Sequence, residues 1–311
     1  MRQKVTIVGA GHTGATMGQI LAARGYADIV LIDIVEGLPQ GKALDIAEAG
    51  PWARTSSKIL GTNDWADTAN SDLVIVTSGV ARKPGMTRED LLSVNAGIVR
   101  SVVGAGAKTS PNAVLIVFAN PMDVMCHVAL EASGFPRERV VGQGGMLDST
   151  RYRTFISMET GASTKDVSAW VLGGHTEATM VPLVSNASVG GVPLTQLLPA
   201  DKLKAVVERT KRGGAEIVEL LKTGSAFVAP AVATIQMADA ILLDERRVLP
   251  CCTLLQGEFG GVKDAYVGAP VLLGAGGIQK VYDIPVSADE LKAIQAAGDA
   301  VKELVAATPK G

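Results

Sequence analysis

The chain has 311 residues, of which 47% are hydrophobic, and its formal net charge is −2. This hydrophobic content is sufficient for a buried core and excludes a disordered chain, which combines low hydrophobicity with high net charge. The 29 lysines and arginines are balanced by 31 aspartates and glutamates. The chain therefore lacks the excess positive charge that nucleic-acid or anionic membrane binding requires, and we expect neither partner.

The three cysteines, Cys126, Cys251 and Cys252, show no spacing typical of a disulfide scaffold or a structural zinc site. The sequence contains no run of 18 apolar residues, and its first apolar run is too short for the core of a signal peptide. These features predict a reduced, cytoplasmic protein without a bound metal.

The first half of the sequence alternates strand-like and helix-like segments. Apolar runs rich in β-branched residues occupy residues 5–8, 29–32, 73–76 and 113–117, and helical patterns follow the first run up to residue 24 and cover residues 39–48, 90–107 and 122–133. Continuous apolar strands are buried on both faces, as in parallel sheets. Strands that alternate with helices predict a Rossmann-type, doubly wound parallel sheet.

The pattern changes after about residue 145. Helical patterns cover residues 147–160, 203–221, 232–243 and 288–305, with strand-like segments at 167–172, 247–255 and 265–273. This half is predicted to be a mixed α/β unit with antiparallel pairing. No flexible linker separates the halves, so we expect a first domain of residues 1–143 packed against a second domain of residues 144–311.

A glycine-rich loop follows the first predicted strand. Gly9, Gly11 and Gly14 fit the pattern G-x-G-x-x-G, and Asp33 stands at the end of the second predicted strand. In a dinucleotide-binding loop, the first glycine makes the tight turn, the second lets the pyrophosphate approach, and the third permits close packing of the helix. Asp33 can accept hydrogen bonds from a ribose 2′-hydroxyl and would repel a 2′-phosphate. The loop therefore predicts NAD as cofactor, residues 1–143 as the NAD-binding domain and residues 144–311 as the substrate-binding domain.

Four further segments carry a family resemblance. Residues 82–91, 120–123, 147–151 and 173–175 resemble, in order and approximate spacing, the active-site loop, the Asn-Pro turn, the Leu-Asp-x-x-Arg helix and the Gly-Gly-His motif of malate dehydrogenases of the lactate-dehydrogenase-like type. The resemblance covers nearly the whole chain. It implies reversible hydride transfer between malate and NAD, a place in the tricarboxylic acid cycle, and a homodimer or homotetramer.

The chemistry of such a reaction suits the residues in these motifs. Histidine titrates near neutrality, so His175 is the candidate base for the hydroxyl proton, and Asp148 would fix its tautomer. Arg151 lies three residues after Asp148, on the same side of a helix, and its planar guanidinium can hold a carboxylate. By resemblance it holds the carboxylate beside the reacting carbon. The resemblance also places Asn120 against both substrate and nicotinamide, and Asn95 is expected to contact the cofactor.

The predicted active-site loop supplies two further arginines. By resemblance, Arg88 polarises the reacting carbonyl, and Arg82 pairs with the distal carboxylate of malate or oxaloacetate. Lactate-specific relatives carry a glutamine at the position of Arg82, so this residue favours malate. Ser225 is expected near the nicotinamide side of the site or, alternatively, as a helix cap.

One segment departs from the family pattern. Thr176 and Glu177 replace the usual Gly-Asp after the histidine, and we interpret the segment before Val181-Pro182 as one residue longer. Losing a glycine removes a position that adopts positive φ cheaply, so the ring of His175 is expected to be placed differently. Two alternatives therefore stay open: a lactate or other 2-hydroxy-acid dehydrogenase, and a catalytically impaired NAD-binding protein.

Overall fold

The computed structural model of the chain describes residues 2–80 and 87–309, except for the side chain of Arg88. The strands are β1 (Gln3–Val8), β2 (Ala27–Ile32), β3 (Ile59–Thr62), β4 (Leu73–Val76), β5 (Val114–Val117), β6 (Val140–Gly142), β7 (Val167–Ser168), β8 (Val171–Gly173), β9 (Met180–Pro182), β10 (Ser188–Val189), β11 (Val192–Pro193), β12 (Arg247–Gln256), β13 (Lys263–Gly274) and β14 (Gly277–Val281). The helices are α1 (His12–Arg24), α2 (Leu38–Glu48), α3 (Gly50–Ala53), α4 (Arg88–Thr109), α5 (Met122–Ser133), α6 (Gly144–Thr160), α7 (Leu194–Leu197), α8 (Ala200–Leu221), α9 (Val228–Leu242), α10 (Glu258–Gly261) and α11 (Ala288–Ala306).

The first six strands form the parallel sheet that the sequence predicts. Their order is β3-β2-β1-β4-β5-β6, and every adjacent pair is parallel. In register, Val5 pairs with Ile29 on one side and with Leu73 on the other. The order reverses between β1 and β4, which is where doubly wound sheets bind ligands at the carboxyl ends of their strands. The predicted Rossmann-type fold is confirmed.

The two faces of this sheet bury separate cores. Alternate residues of β4 point to opposite sides: Leu73 and Ile75 join a core with α1 and α9, whereas Val74 and Val76 join one with α4 and α5. All four side chains are at most 1% exposed. Burial on both faces explains why these strands read as continuous apolar runs instead of alternating ones.

The sheet continues from the first half of the chain into the second. The last parallel strand, β6, pairs antiparallel with β12 at Gly142 and Cys252, and the order then runs β12-β13-β8-β9, with β14 on β13. Within the described residues, this makes one sheet of 11 strands. Helix α6 begins at Gly144, directly after β6. The domain division at residues 143 and 144 stays a prediction.

The structure differs from the sequence prediction in its short strands. The expected single strand over residues 167–172 is two strands: β7 belongs to a three-stranded sheet with β10 and β11, while β8 joins the large sheet. The mixed, antiparallel second half is confirmed. Among the described residues, no helix combines the length and apolar character needed to cross a membrane.

Candidate active site

The glycine loop between β1 and α1 has the geometry of a phosphate-binding turn. Gly9 has a φ of 106°, and a Cβ at Gly14 would lie 1.9 Å from the carbonyl oxygen of Gly9, so both positions require glycine. Gly11 precedes α1 without a side-chain cap, and a Cβ there would meet nothing within 4 Å. The first backbone N–H groups of α1 are therefore uncapped by Gly11 and suited to an anion.

Asp33, at the end of β2, is fixed beside this loop. Its Oδ2 accepts a hydrogen bond from the backbone N–H of Ala10 at 2.7 Å, and its Oδ1 accepts one from Val35 at 3.0 Å. The loop, Asp33, Ile34 and Val35 line a cavity of about 890 Å³. This cavity size lies in the usual range for cofactor sites. A carboxylate on its wall and uncapped N–H groups at its base fit a dinucleotide with a free 2′-hydroxyl.

A second cavity, of about 450 Å³, lies next to the first. It is lined by three of the predicted site residues, Asn120, Arg151 and His175. Thr13 lines both cavities, so the space beyond the glycine loop opens towards these residues. The two cavities therefore adjoin at Thr13.

His175 and Asp148 form the pair that the sequence suggests. His175 follows β8, Asp148 lies on α6, and Nδ1 of His175 is 2.7 Å from Oδ2 of Asp148. Gly144 permits this contact, because a Cβ there would lie 2.8 Å from Cγ of His175. Asp148 is only 1% exposed, so its charge acts at low effective dielectric. The bond assigns the proton of neutral His175 to Nδ1 and leaves Nε2 to serve the cavity.

The pKa of His175 is raised above its ordinary value. Burial alone lowers it, but the charge of Asp148, the hydrogen bond to Asp148 and the charge of Asp123 together outweigh burial and the repulsion from Arg151. The imidazolium form of His175 is thus stabilised. A group that carries a proton in a reversible reaction must be protonated in one of the two directions.

Arg151 shares the same carboxylate. Its NH1 is 3.1 Å from Oδ1 of Asp148, one turn back on α6, so Asp148 orients both cationic partners. The guanidinium lies against Gly213 and Gly214 of α8: Cβ atoms there would stand 3.0 Å from Cδ and 3.4 Å from NH2 of Arg151, respectively. Its Nε is buried and has no hydrogen-bond partner within the described residues. Arg151 is thus held at the cavity wall by α6 and α8.

The altered segment after His175 forms a turn, and Nδ1 of His175 lies 2.7 Å from Oδ2 of Asp148. The expected displacement of the ring relative to the family stays a prediction. The positive φ falls on Gly173, at 79°, and not on Thr176. Thr176 and Thr179 close the turn instead: their hydroxyl oxygens are 2.7 Å apart, and Thr179 donates its backbone N–H to the carbonyl of Thr176 at 3.0 Å. A hydroxyl pair therefore stabilises the turn that follows His175.

The remaining predicted residues take different positions. Asn95 is buried, and its side-chain amide bonds to backbone groups. Its Oδ1 accepts the N–H of Val80 at 2.8 Å, and its Nδ2 donates to the carbonyl of Asn120 at 2.6 Å. Its direct contact with a cofactor stays a prediction. Ser225 lines the second cavity, and Phe227, not Ser225, occupies the N-cap position of α9, without a side-chain hydrogen bond. Arg82 lies outside the described residues.

Arg88 is described only by its backbone, which begins α4. Thr87 caps this helix, since its hydroxyl accepts the N–H of Asp90 while Asp90 accepts that of Thr87. The predicted role of Arg88 therefore stays untested by side-chain geometry.

Sequence reasoning missed several residues of the site. Glu177 and Lys211 also line the second cavity. The pair Gly213–Gly214 could have been noticed, because adjacent glycines inside a charged helix cost about 2 kcal/mol relative to alanines and so need a reason. Among the described residues, no group of histidine, cysteine or acidic side chains is arranged to hold a metal ion.

Comparisons with known proteins agree over nearly the whole chain. Residues 3–142 match the lactate/malate dehydrogenase NAD binding domain, and residues 145–309 match the alpha/beta C-terminal domain of the same family. The malate dehydrogenase of Thermomicrobium roseum is 55% identical over 99% of this chain and 98% of its own length.

Two solved structures, one of a malate dehydrogenase and one of a lactate dehydrogenase, resemble the chain almost equally well. The apo malate dehydrogenase of Picrophilus torridus superposes with a TM-score of 0.95 at 43% identity, over 98% of this chain and 97% of that one. A Cryptosporidium parvum lactate dehydrogenase, complexed with lactic acid and nicotinamide adenine dinucleotide, gives a TM-score of 0.94 at 38% identity, over 98% of both chains. Backbone similarity alone therefore does not separate the two substrates.

Proposed function

This chain belongs to the lactate/malate dehydrogenase family, and on that premise we propose that it is an NAD-dependent malate dehydrogenase. The reaction converts malate and NAD⁺ to oxaloacetate, NADH and a proton, and runs in both directions. The observation that carries the proposal is that Asp148 contacts both His175 and Arg151, which line a cavity that adjoins the dinucleotide cavity at Thr13.

In this proposal the glycine loop and Asp33 hold the cofactor. The N-terminus of α1 binds the pyrophosphate, and Asp33, fixed by Ala10 and Val35, accepts the ribose hydroxyls. When bound, NAD⁺ supplies the hydride acceptor. Asn120, which lines the second cavity, is the residue positioned between substrate and nicotinamide.

The chain's own residues handle the proton and the substrate charges. Nε2 of His175 takes the proton from the hydroxyl oxygen of malate while the carbon that bears this hydroxyl gives up its hydride, and Asp148 stabilises the imidazolium that forms. Arg151 holds the carboxylate beside the reacting carbon. By family resemblance, Arg88 polarises the carbonyl and Arg82 binds the distal carboxylate.

The choice of malate over lactate rests on Arg82 and on the relatives named malate dehydrogenase. A second carboxylate in a closed site needs a cation, because an unpaired buried charge is costly. A charge-assisted hydrogen bond contributes about 1.5–3 kcal/mol, which corresponds to roughly 10–150-fold discrimination between oxaloacetate and pyruvate.

The test compares kcat/KM for NADH oxidation with oxaloacetate and with pyruvate. We expect the wild type to prefer oxaloacetate, Arg82→Gln to reduce that preference, and Arg151→Gln to depress both substrates. A wild type that prefers pyruvate would favour the lactate alternative. A wild type that binds NADH but turns over neither keto acid would favour an impaired NAD-binding protein.

The proposal also includes a cytoplasmic homodimer or homotetramer. All three cysteines are buried as free thiols, which suits a reducing compartment. Apolar side chains are exposed at Leu44 on α2 and at Val228 and Val232 on α9, and both helices pack on α1. Sedimentation equilibrium tests the oligomer, and a monomer at micromolar concentration would contradict it. Cell fractionation tests the compartment, and recovery outside the cytoplasm would contradict that assignment.

A further inference from the structure

A second carboxylate, that of Asp123, contacts the backbone of His175. Asp123 stands in the first turn of α5, three residues after Asn120, and is only 5% exposed. Its Oδ2 accepts a hydrogen bond from the backbone N–H of His175 at 2.9 Å. His175 is thus held at two points, by Asp148 at its ring and by Asp123 at its backbone.

The environment of Asp123 is otherwise apolar. Its neighbours Val124, Met125 and Cys126 are buried, and its Oδ1 accepts a weak hydrogen bond from Sγ of Cys252 at 3.4 Å. Burial raises the pKa of Asp123, against the hydrogen bond and charge of His175. Because burying a carboxyl group among apolar residues is unfavourable, its single strong contact with His175 needs a reason beyond fold stability.

Two residues with weak conformational preferences of their own precede His175. Gly173 and Gly174 precede it, and glycine is the most conformationally free residue. A displacement of about 1 Å in a catalytic group can cost about 10²-fold in rate. Gly174 donates its N–H to the carbonyl of Thr179 at 2.9 Å, and the bond from Asp123 adds an anchor at the next residue that ties the end of β8 to α5 and β12.

We propose that Asp123 is a positioning residue for the proposed dehydrogenase: by accepting the N–H of His175, it keeps the imidazole aligned so that Nδ1–H bonds to Asp148. The inference rests on the proposed function for its catalytic consequence, while its structural consequence is the tautomer of His175. Histidine in water favours the other tautomer, with the proton on Nε2, so loss of alignment is directly visible.

The experiment measures tautomer and turnover in the same set of variants. The chain has three histidines, so ¹⁵N-histidine NMR of the full protein gives three resolved side chains, and His175→Asn assigns the signal of His175. Asp123→Leu removes the acceptor but retains volume, Asp123→Ala is a second acceptor-free variant, and Asp123→Asn keeps one acceptor oxygen. Cys252→Ala is the matched control, because it opens the same cluster but leaves the bond to His175.

We expect Asp123→Leu to shift His175 towards the Nε2–H tautomer and to lower kcat with oxaloacetate by about 10–100-fold. Asp123→Asn should restore both the Nδ1–H tautomer and most of the activity, and Cys252→Ala should retain both. The KM for NADH should stay unchanged throughout. Asp123→Ala serves the same comparison if the leucine variant does not fold.

The inference is wrong if both acceptor-free variants keep the Nδ1–H tautomer and wild-type kcat. It is also wrong if Cys252→Ala produces the same losses, since these would then reflect a loosened core. Failure of the proposed function looks different: a wild type inactive on both keto acids, in which the acceptor-free variants still change the tautomer, would retain the positioning role and remove the reaction.

Discussion

Asp148→Asn tests the central arrangement of the site. Asp148 is 1% exposed and accepts hydrogen bonds from Nδ1 of His175 at 2.7 Å and from NH1 of Arg151 at 3.1 Å. Asparagine has the same shape but only one acceptor oxygen. Its amide nitrogen must therefore face one of the two donors, and the charge that both donors share disappears.

The size of the effect follows from these two contacts. Losing a charge-assisted hydrogen bond costs about 1.5–3 kcal/mol, and leaving a buried donor unsatisfied costs about 1–3 kcal/mol more. Together these amount to about 2.5–6 kcal/mol, or roughly 10²–10⁴-fold in kcat/KM for oxaloacetate. In the proposal NADH is bound at the glycine loop and not at Asp148, so its dissociation constant should not change.

The pH profile should move as well. The charge of Asp148 helps raise the pKa of His175, against burial, so Asp148→Asn lowers that pKa. Malate oxidation needs neutral His175 and is lost as pH falls through this pKa, so its acid limb moves to lower pH. Oxaloacetate reduction needs the imidazolium, which exists below this pKa, so its alkaline limb also moves to lower pH.

Steady-state kinetics in both directions across pH 5–9, roughly centred on the ordinary pKa of histidine, supply the measurement. Asp201→Asn, on the exposed first turn of α8, is the matched control and should behave as wild type. A loss below about tenfold for Asp148→Asn, with both pH limbs unmoved, would refute the role of Asp148 as the orienting carboxylate.

Three other predictions follow from single contacts. Asp33→Ser should reduce the preference for NADH over NADPH, measured as the ratio of kcat/KM values. Equal use of both cofactors by the wild type would contradict the placement of Asp33 at the ribose hydroxyls. Gly213→Ala should raise KM for both keto acids by roughly tenfold, because its Cβ would stand 3.0 Å from Cδ of Arg151, whereas Gly104→Ala, with open space, should not. Burial lowers the pKa of His127 to about 4, so as pH falls from about 6.5 the unfolded chain binds a proton at His127 before the folded chain does, and the free energy of unfolding decreases down to about pH 4. In urea unfolding, His127→Gln should show a smaller decrease over that window. An equal decrease in variant and wild type would refute this prediction.

Much of the fold could be predicted because burial on two faces leaves a strong signal. The run over residues 73–76 has no polar interruption, and it forms β4 with the predicted bounds. Short strands carried less information: β3 contains Gly61, where a Cβ would lie 2.0 Å from the carbonyl oxygen of Pro39 on α2. That glycine weakens a strand pattern for a reason that only the packed structure reveals.

The site could be predicted only as far as its motifs were local. Asp148 and Arg151 are three residues apart on one helix, so their shared side was readable from spacing. The contact between Asp123 and His175 joins residues 52 positions apart, and nothing in either segment specifies it. The same holds for the contact of Arg151 with Gly213, which depends on how closely α6 and α8 approach.

The tight packing where β6 pairs with β12 limits which halves of related enzymes can be combined in a chimaera. A side chain at Gly142 would meet Sδ of Met122 at 2.3 Å, Sγ of Cys126 at 2.7 Å and Cβ of Cys252 at 2.8 Å. The first three of these residues come from the half that would hold the cofactor and the fourth from the other half. Chimaeras that join halves of two relatives must therefore take these four residues from one parent, because a mismatched side chain would prevent β6 from pairing with β12.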